Sequence, residues 1–174
     1  TPEHETCDGV IAKALGAALP PLDTKAYSDA LSGSARRWGD YEVGEKIDHL
    51  DGMTIEEAEH QLAGRLYQNN ARVHFNQHEQ GHGRFGRRLV YGGHIISLAR
   101  ALSFNGLENA FHVAGINAGR HVSPAFAGDT VYAWSEILEK VPLDRSDAGA
   151  LRLRLVALKD KAAAGFALKT GDQY

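Results

Sequence analysis

The stretch Tyr91-Gly92-Gly93-His94-Ile95-Ile96-Ser97-Leu98-Ala99-Arg100-Ala101-Leu102 decides the fold. Gly92-Gly93-His94 opens it, and Asn105-Gly106 supplies a stop just beyond it. Between these marks Ile95, Ile96, Leu98, Ala99, Ala101 and Leu102 fall on most sides of a helix. A helix apolar nearly all round is expected to be buried, so other elements of the chain must wrap it.

The C-terminal third of the chain is expected to supply the wrapping. Residues 111–121, 130–140 and 150–158 each alternate apolar and polar side chains, the last with Leu151, Leu153 and Leu155 inward against Arg152 and Arg154 outward. These read as long antiparallel strands, with the turn-rich Pro124-Ala125-Phe126-Ala127-Gly128-Asp129 between the first two. Upstream, Thr54 can cap a helix whose capping box Glu57 completes, with Ile55, Ala58, Leu62 and Leu66 as its buried face and an end near Tyr67. Residues 38–47 alternate weakly around Gly44 and read as a short strand or hairpin. Residues 69–86, rich in Asn, His and Gly, make a poor core and a good site loop. Residues 1–37, with Pro20-Pro21 and abundant Ala, Gly and Ser, read as a linker or arm before one domain at 38–174. The expected class is α+β, a long central helix wrapped by an antiparallel sheet.

Composition narrows the function classes. A net charge of −3 in 174 residues gives a nucleic-acid partner no electrostatic support. Cys7 is the only cysteine, so neither a disulfide framework nor a cysteine-rich zinc site fits, and a reducing, cytoplasmic setting does. No apolar run is long enough to span a bilayer and the opening is polar and acidic, so no membrane partner is expected. The first residue is Thr rather than Met, which reads as a segment cut from something longer or a processed product.

Two places could carry chemistry. Asn69 lies five residues before His74 on the loop after the first helix. An imidazole suits proton exchange near neutrality, and a carboxamide can orient water without acting as a base. Spacing alone does not decide between this role and a packed or solvated loop histidine, the commoner state of an isolated His. At the start of the apolar helix, Gly92 and Gly93 expose backbone N–H groups suited to charge on an oxygen, though two glycines also simply make a tight helix start. Arg84, Arg87 and Arg88 could bind phosphates or form a solvated basic loop, and Arg72 or Arg120 could pair with a substrate carboxylate. His78, His82, His94, His112 and His121 have no metal-ligand spacing, so no metal site is expected.

The segments 69–74, 86–94 and 126–131 together resemble the MaoC-like (R)-specific enoyl-CoA hydratases. The resemblance implies a hot-dog fold, His74 as the acid/base, Gly92 as the oxyanion glycine and Gly128-Asp129 as the start of a long strand. Asn69 stands where that family usually has Asp. More specific runs, including Asp51-Gly52-Met53-Thr54-Ile55-Glu56-Glu57-Ala58-Glu59-His60 and Leu102-Ser103-Phe104-Asn105-Gly106-Leu107, resemble the C-terminal half of the mesaconyl-CoA hydratases. This likeness implies reversible hydration of mesaconyl-CoA to β-methylmalyl-CoA, in the ethylmalonyl-CoA or a related route. It implies an acyl-CoA substrate and no cofactor, CoA being part of the substrate. It also implies a second hot-dog half or subunit as partner, a homo-oligomer, and a final strand absent from this chain. A non-catalytic acyl-CoA-binding hot-dog subunit and a hot-dog thioesterase are the competing expectations.

Overall fold

The computed structural model describes residues 16–169; Cys7, the polar opening 1–8 and residues 170–174 lie outside them. Three strands, β1 (Lys46–Thr54), β2 (Thr130–Pro142) and β3 (Gly149–Lys159), form a sheet in the order β1-β2-β3. Among the described residues two helices of more than one turn accompany them, α1 (Glu57–Leu66) and α2 (Gly92–Leu102). The Ile55 N–H donates to the Asp129 carbonyl at 2.9 Å, and the Ile137 N–H to the Glu45 carbonyl at 2.9 Å. As one strand ascends in number the other descends, so β1 and β2 run antiparallel.

By contacts the chain divides into two units. The second takes Asp48–Asn105, His121–Ser135 and the residues from Leu155 on. Its core is Ile55, Val90, Ala99, Leu102, Val131 and Ala133, with Ile95, Leu98, Ala125 and Leu155 packed against them. Fully burying each large aliphatic side chain contributes about 1.5–3 kcal/mol, so α2 is held on β2 mainly by this contact. Trp134 is buried nearby, its indole N–H donating to the Ala167 carbonyl at 2.9 Å and its ring edge-on to Phe166. The first unit holds the described residues up to Ile47, Gly106–Arg120 and Glu136–Arg154. Its core joins Tyr41, Ile47, Leu107 and Ile137. The Tyr41 hydroxyl donates to the Gly106 carbonyl at 2.8 Å, and burial of that ring pushes the phenol pKa up. Residues 16–22 are tied to this unit by Arg145, which donates to the carbonyls of Gly16, Leu19 and Pro20 and pairs with Asp147.

Several expectations are corrected. Residues 38–47 are not one strand. Trp38–Asp40 form a 3-10 turn closed by Asp40 on the Arg37 N–H, and the strand starts at Lys46, past a turn at Gly44 with φ +86°. Thr54 is no helix cap: it ends β1, its hydroxyl bonded to that of Thr130 at 2.9 Å, and Glu56 takes the cap position. Residues 111–121 alternate as a strand should but form none, and they are exposed throughout. An extended segment needs a neighbour for its N–H and C=O groups, and no strand among the described residues pairs with it. The α2 helix is buried on one face only, with Ala99 and Leu102 inside and Ile96 41% exposed, because one three-stranded sheet covers one side of it.

One buried polar network ties the second unit together. His49, on β1, is fully buried; its Nδ1–H donates to the Asn105 carbonyl at 2.6 Å, and its Nε2 accepts from the Ser135 hydroxyl at 2.8 Å. A carbonyl can only accept, so the first contact fixes the tautomer that the second requires. Replacing His49→Leu strands a buried carbonyl and a buried hydroxyl. We expect a loss of about 2–4 kcal/mol in urea unfolding; a cost under about 0.5 kcal/mol would remove the network from the list of stabilising features.

Candidate active site

The α1 helix has its polar side inward. His60 and Gln61 are 1% and 8% exposed, while Leu62 and Leu66, expected on the buried face, are 57% and 67% exposed. Buried polar groups cost free energy unless hydrogen-bonded, so the inward face must have partners. His60 Nε2 lies 3.5 Å from Glu57. Gln61 Nε2 donates to the main-chain carbonyl of His74 at 2.6 Å, which joins α1 to the loop beyond it.

That loop is shaped by Asn69. Its N–H donates to the Gly64 carbonyl at 2.8 Å as α1 ends, and its Oδ1 accepts from the Ala71 N–H at 2.9 Å. This Asx-type turn leads directly into the 3-10 turn Arg72–His74. His74 is then held on three sides: by Gln61 at its carbonyl, by its Nδ1 on the Leu89 carbonyl at 3.0 Å, and by the Tyr91 ring, edge-on at 5.9 Å. Because Leu89 offers only an acceptor, Nδ1 carries the proton and Nε2 is the basic nitrogen of the neutral ring. Asn69 and His74 line one cavity of about 270 Å³, together with Gln61, Gly64, Arg65 and Phe75.

Tyr91 caps the amino end of α2 with no side-chain hydrogen bond, and the His94 N–H turns back to the Tyr91 carbonyl. The Gly92 and Gly93 amides have no partner among the described residues. Their lack of a Cβ has a local reason: a Cβ on Gly92 would sit 2.5 Å from the His121 ring, and one on Gly93 2.5 Å from the Tyr91 ring. Neither glycine lines the 270 Å³ cavity, but Tyr91 brings the helix start against His74.

The arginines singled out in sequence sit elsewhere. Arg88 pairs with Glu57 and donates to the Phe75 carbonyl at 3.2 Å. Arg87 donates to the Ala127 carbonyl and lies over the Phe126 ring. Arg72 meets Glu79 at 3.4 Å on the surface, and Arg84 lies over the Phe85 ring at 5.1 Å. Arg120 is exposed and falls in the first unit. Sequence reasoning missed Gln61 and Arg65, which face the cavity one turn apart, and His60. The available signal was a His-Gln pair on the side of α1 away from the apolar stripe Ala58, Leu62 and Leu66.

Two further histidines flank His74 in charge terms. His94 Nε2 lies 3.0 Å from Glu59, linking α2 to α1. Burial pushes the His60 pKa down, and His94 and His74 add to that. Among the described residues no group of three His, Cys, Asp or Glu side chains gathers to hold a metal ion, and no helix is long and apolar enough to cross a membrane.

The chain has the MaoC-like hot-dog fold. It matches the crystal structure of a MaoC domain protein dehydratase from Chloroflexus aurantiacus with a TM-score of 0.78 and 66% identity, over 80% of this chain and 40% of that one. A Mycobacterium tuberculosis protein with a double hot-dog fold matches with a TM-score of 0.54 and 28% identity, over 83% of this chain and 43% of that one. In sequence the chain is related to two particular enzymes. It is 68% identical over 136 residues to the β-methylmalyl-CoA dehydratase of Chloroflexus aurantiacus, and 60% identical over 133 residues to the mesaconyl-CoA hydratase of Cereibacter sphaeroides. These matches take in 78% and 76% of this chain and lie in the C-terminal half of the relatives, of whose length the chain spans 39% and 38%. No protein-family model matches the chain.

His60 gives the site a pH signature. Its folded pKa lies below the ordinary 6.5, so the unfolded chain binds the proton more readily and stability falls as pH drops below about 6.5. Urea unfolding between pH 8 and 5.5 should show that loss, and His60→Gln should reduce its slope; an unchanged slope would show that another group is responsible.

Proposed function

We propose that this chain provides the catalytic half of a hydratase that adds water reversibly to mesaconyl-CoA, giving β-methylmalyl-CoA. The observation that carries the reading is the meeting of Asn69 and His74 in one cavity, with His74 against the residue that opens α2. The relatives' names supply the substrate.

Hydration places the water oxygen on the β-carbon and a proton on the α-carbon, and one base that returns its proton suffices. His74 Nε2 takes the proton from the attacking water, and the imidazolium then delivers it to the α-carbon. Asn69, its Oδ1 engaged with Ala71, offers its Nδ2–H groups to the water oxygen, which orients the lone pair that attacks. Charge gathers meanwhile on the thioester oxygen. The unpartnered amides of Gly92 and Gly93, at the positive end of α2, are the donors suited to it. No cofactor is called for, CoA being part of the substrate. We place the enzyme in the cytoplasm, in the ethylmalonyl-CoA or a related route, as a homo-oligomer in which a second hot-dog half or subunit accompanies this one.

The chain, alone and mixed with the N-terminal portion of a relative, is incubated with mesaconyl-CoA while the enoyl-thioester absorbance is monitored. Absorbance should fall without release of free CoA thiol, and His74→Ala should slow the reaction by about 10²–10⁴-fold. Release of thiol would make the protein a thioesterase, and an undiminished rate in the variant would take His74 out of the mechanism.

A further inference from the structure

We propose that Arg65 anchors the free carboxylate of a dicarboxylic acyl thioester and thereby sets the acyl class that the cavity accepts. This rests on the hydratase reading and adds the residue that selects its substrate.

Arg65 lies on the last turn of α1 and lines the cavity with Asn69 and His74. It is exposed, and its guanidinium makes no hydrogen bond or ion pair among the described residues. The other arginines near the loop are engaged: Arg72 with Glu79, Arg88 with Glu57, Arg87 with the Ala127 carbonyl. Gln61, Gly64 and Arg65 stand at helical spacing on one face, so together they form one wall. Gln61 Oε1 on that wall is buried without a partner. A Cβ added at Gly64 would meet nothing within 4 Å, so the wall is open at that position, although glycine in a helix interior costs about 1 kcal/mol relative to alanine. The wall thus carries an exposed guanidinium without a partner among the described residues, next to an open position at Gly64. A ligand bearing a carboxylate would give that guanidinium a charged partner.

The chemistry of the acyl group places its anion here. In a mesaconyl thioester the β-carbon that receives water also bears the carboxylate. The anion is therefore one bond from the atom that the water attacks, and its partner must come from the cavity that holds the water. Arg65 is four residues before Asn69 and shares that cavity. A planar guanidinium suits bidentate pairing with a carboxylate, which a lysine would match only in charge.

The test compares thioesters that differ only in the distal carboxylate. On the full chain, calorimetry measures binding of the unreactive pair succinyl-CoA and butyryl-CoA, and turnover is measured with mesaconyl-CoA and crotonyl-CoA. Arg65→Met should lower the succinyl-to-butyryl affinity ratio and the mesaconyl-to-crotonyl ratio of kcat/KM by about 100-fold, with Arg65→Lys recovering part of each. Unchanged ratios would overturn the assignment. So would an equal loss for both thioesters of a pair, which points to CoA phosphates or to folding. A wild-type chain that, even mixed with the N-terminal portion of a relative, hydrates neither enoyl thioester but prefers succinyl-CoA through Arg65 would end the hydratase reading and leave the anchor standing; no preference for succinyl-CoA would end the anchor.

Discussion

The hydrogen bond from Gln61 Nε2 to the His74 carbonyl fixes where the loop after α1 lies. It joins the last turns of a helix to a histidine thirteen residues further on, and the cavity exists in the space between them. The donor is buried and belongs to a helix that also carries His60 inward, so the helix cannot turn to hide its leucines without breaking the link. A polar inward face is thus the condition for a positioned imidazole. Leu62 and Leu66 remain outside as its consequence.

The same logic of fixed acceptors recurs twice. Main-chain carbonyls of Leu89 and Asn105 each take the Nδ1 proton of a histidine, which leaves Nε2 basic in His74 and hydroxyl-bonded in His49. A backbone carbonyl cannot exchange roles, so both rings are held in one tautomer by the fold itself. In His49 the result is a buried tie between β1, β2 and the end of α2; in His74 it is an Nε2 left with its lone pair.

Regular elements with strong periodicity were legible in the chain: α2 begins at Gly92, and β2 and β3 lie within two residues of where alternation puts them. The pairing of Asn69 with His74 was legible as a spacing. What periodicity could not give was the direction a helix face takes when its job is polar. For α1 the apolar stripe Ala58, Leu62, Leu66 pointed the wrong way, because hydrophobic patterning assumes that the buried side has no hydrogen bonds to make. Thr54 failed as a cap for a related reason: its hydroxyl had a better partner across the sheet in Thr130. Residues 111–121 show the limit of alternation, since a strand is a property of two segments and one sequence displays only its own.

Gly64 leaves a gap in the wall where the next substituent would touch nothing. Most positions lining a packed protein interior resist added volume, since each new carbon displaces a neighbour. Here one carbon can be added while the scaffold stays put, so the room in this cavity is adjustable at a single codon, by drift or by design.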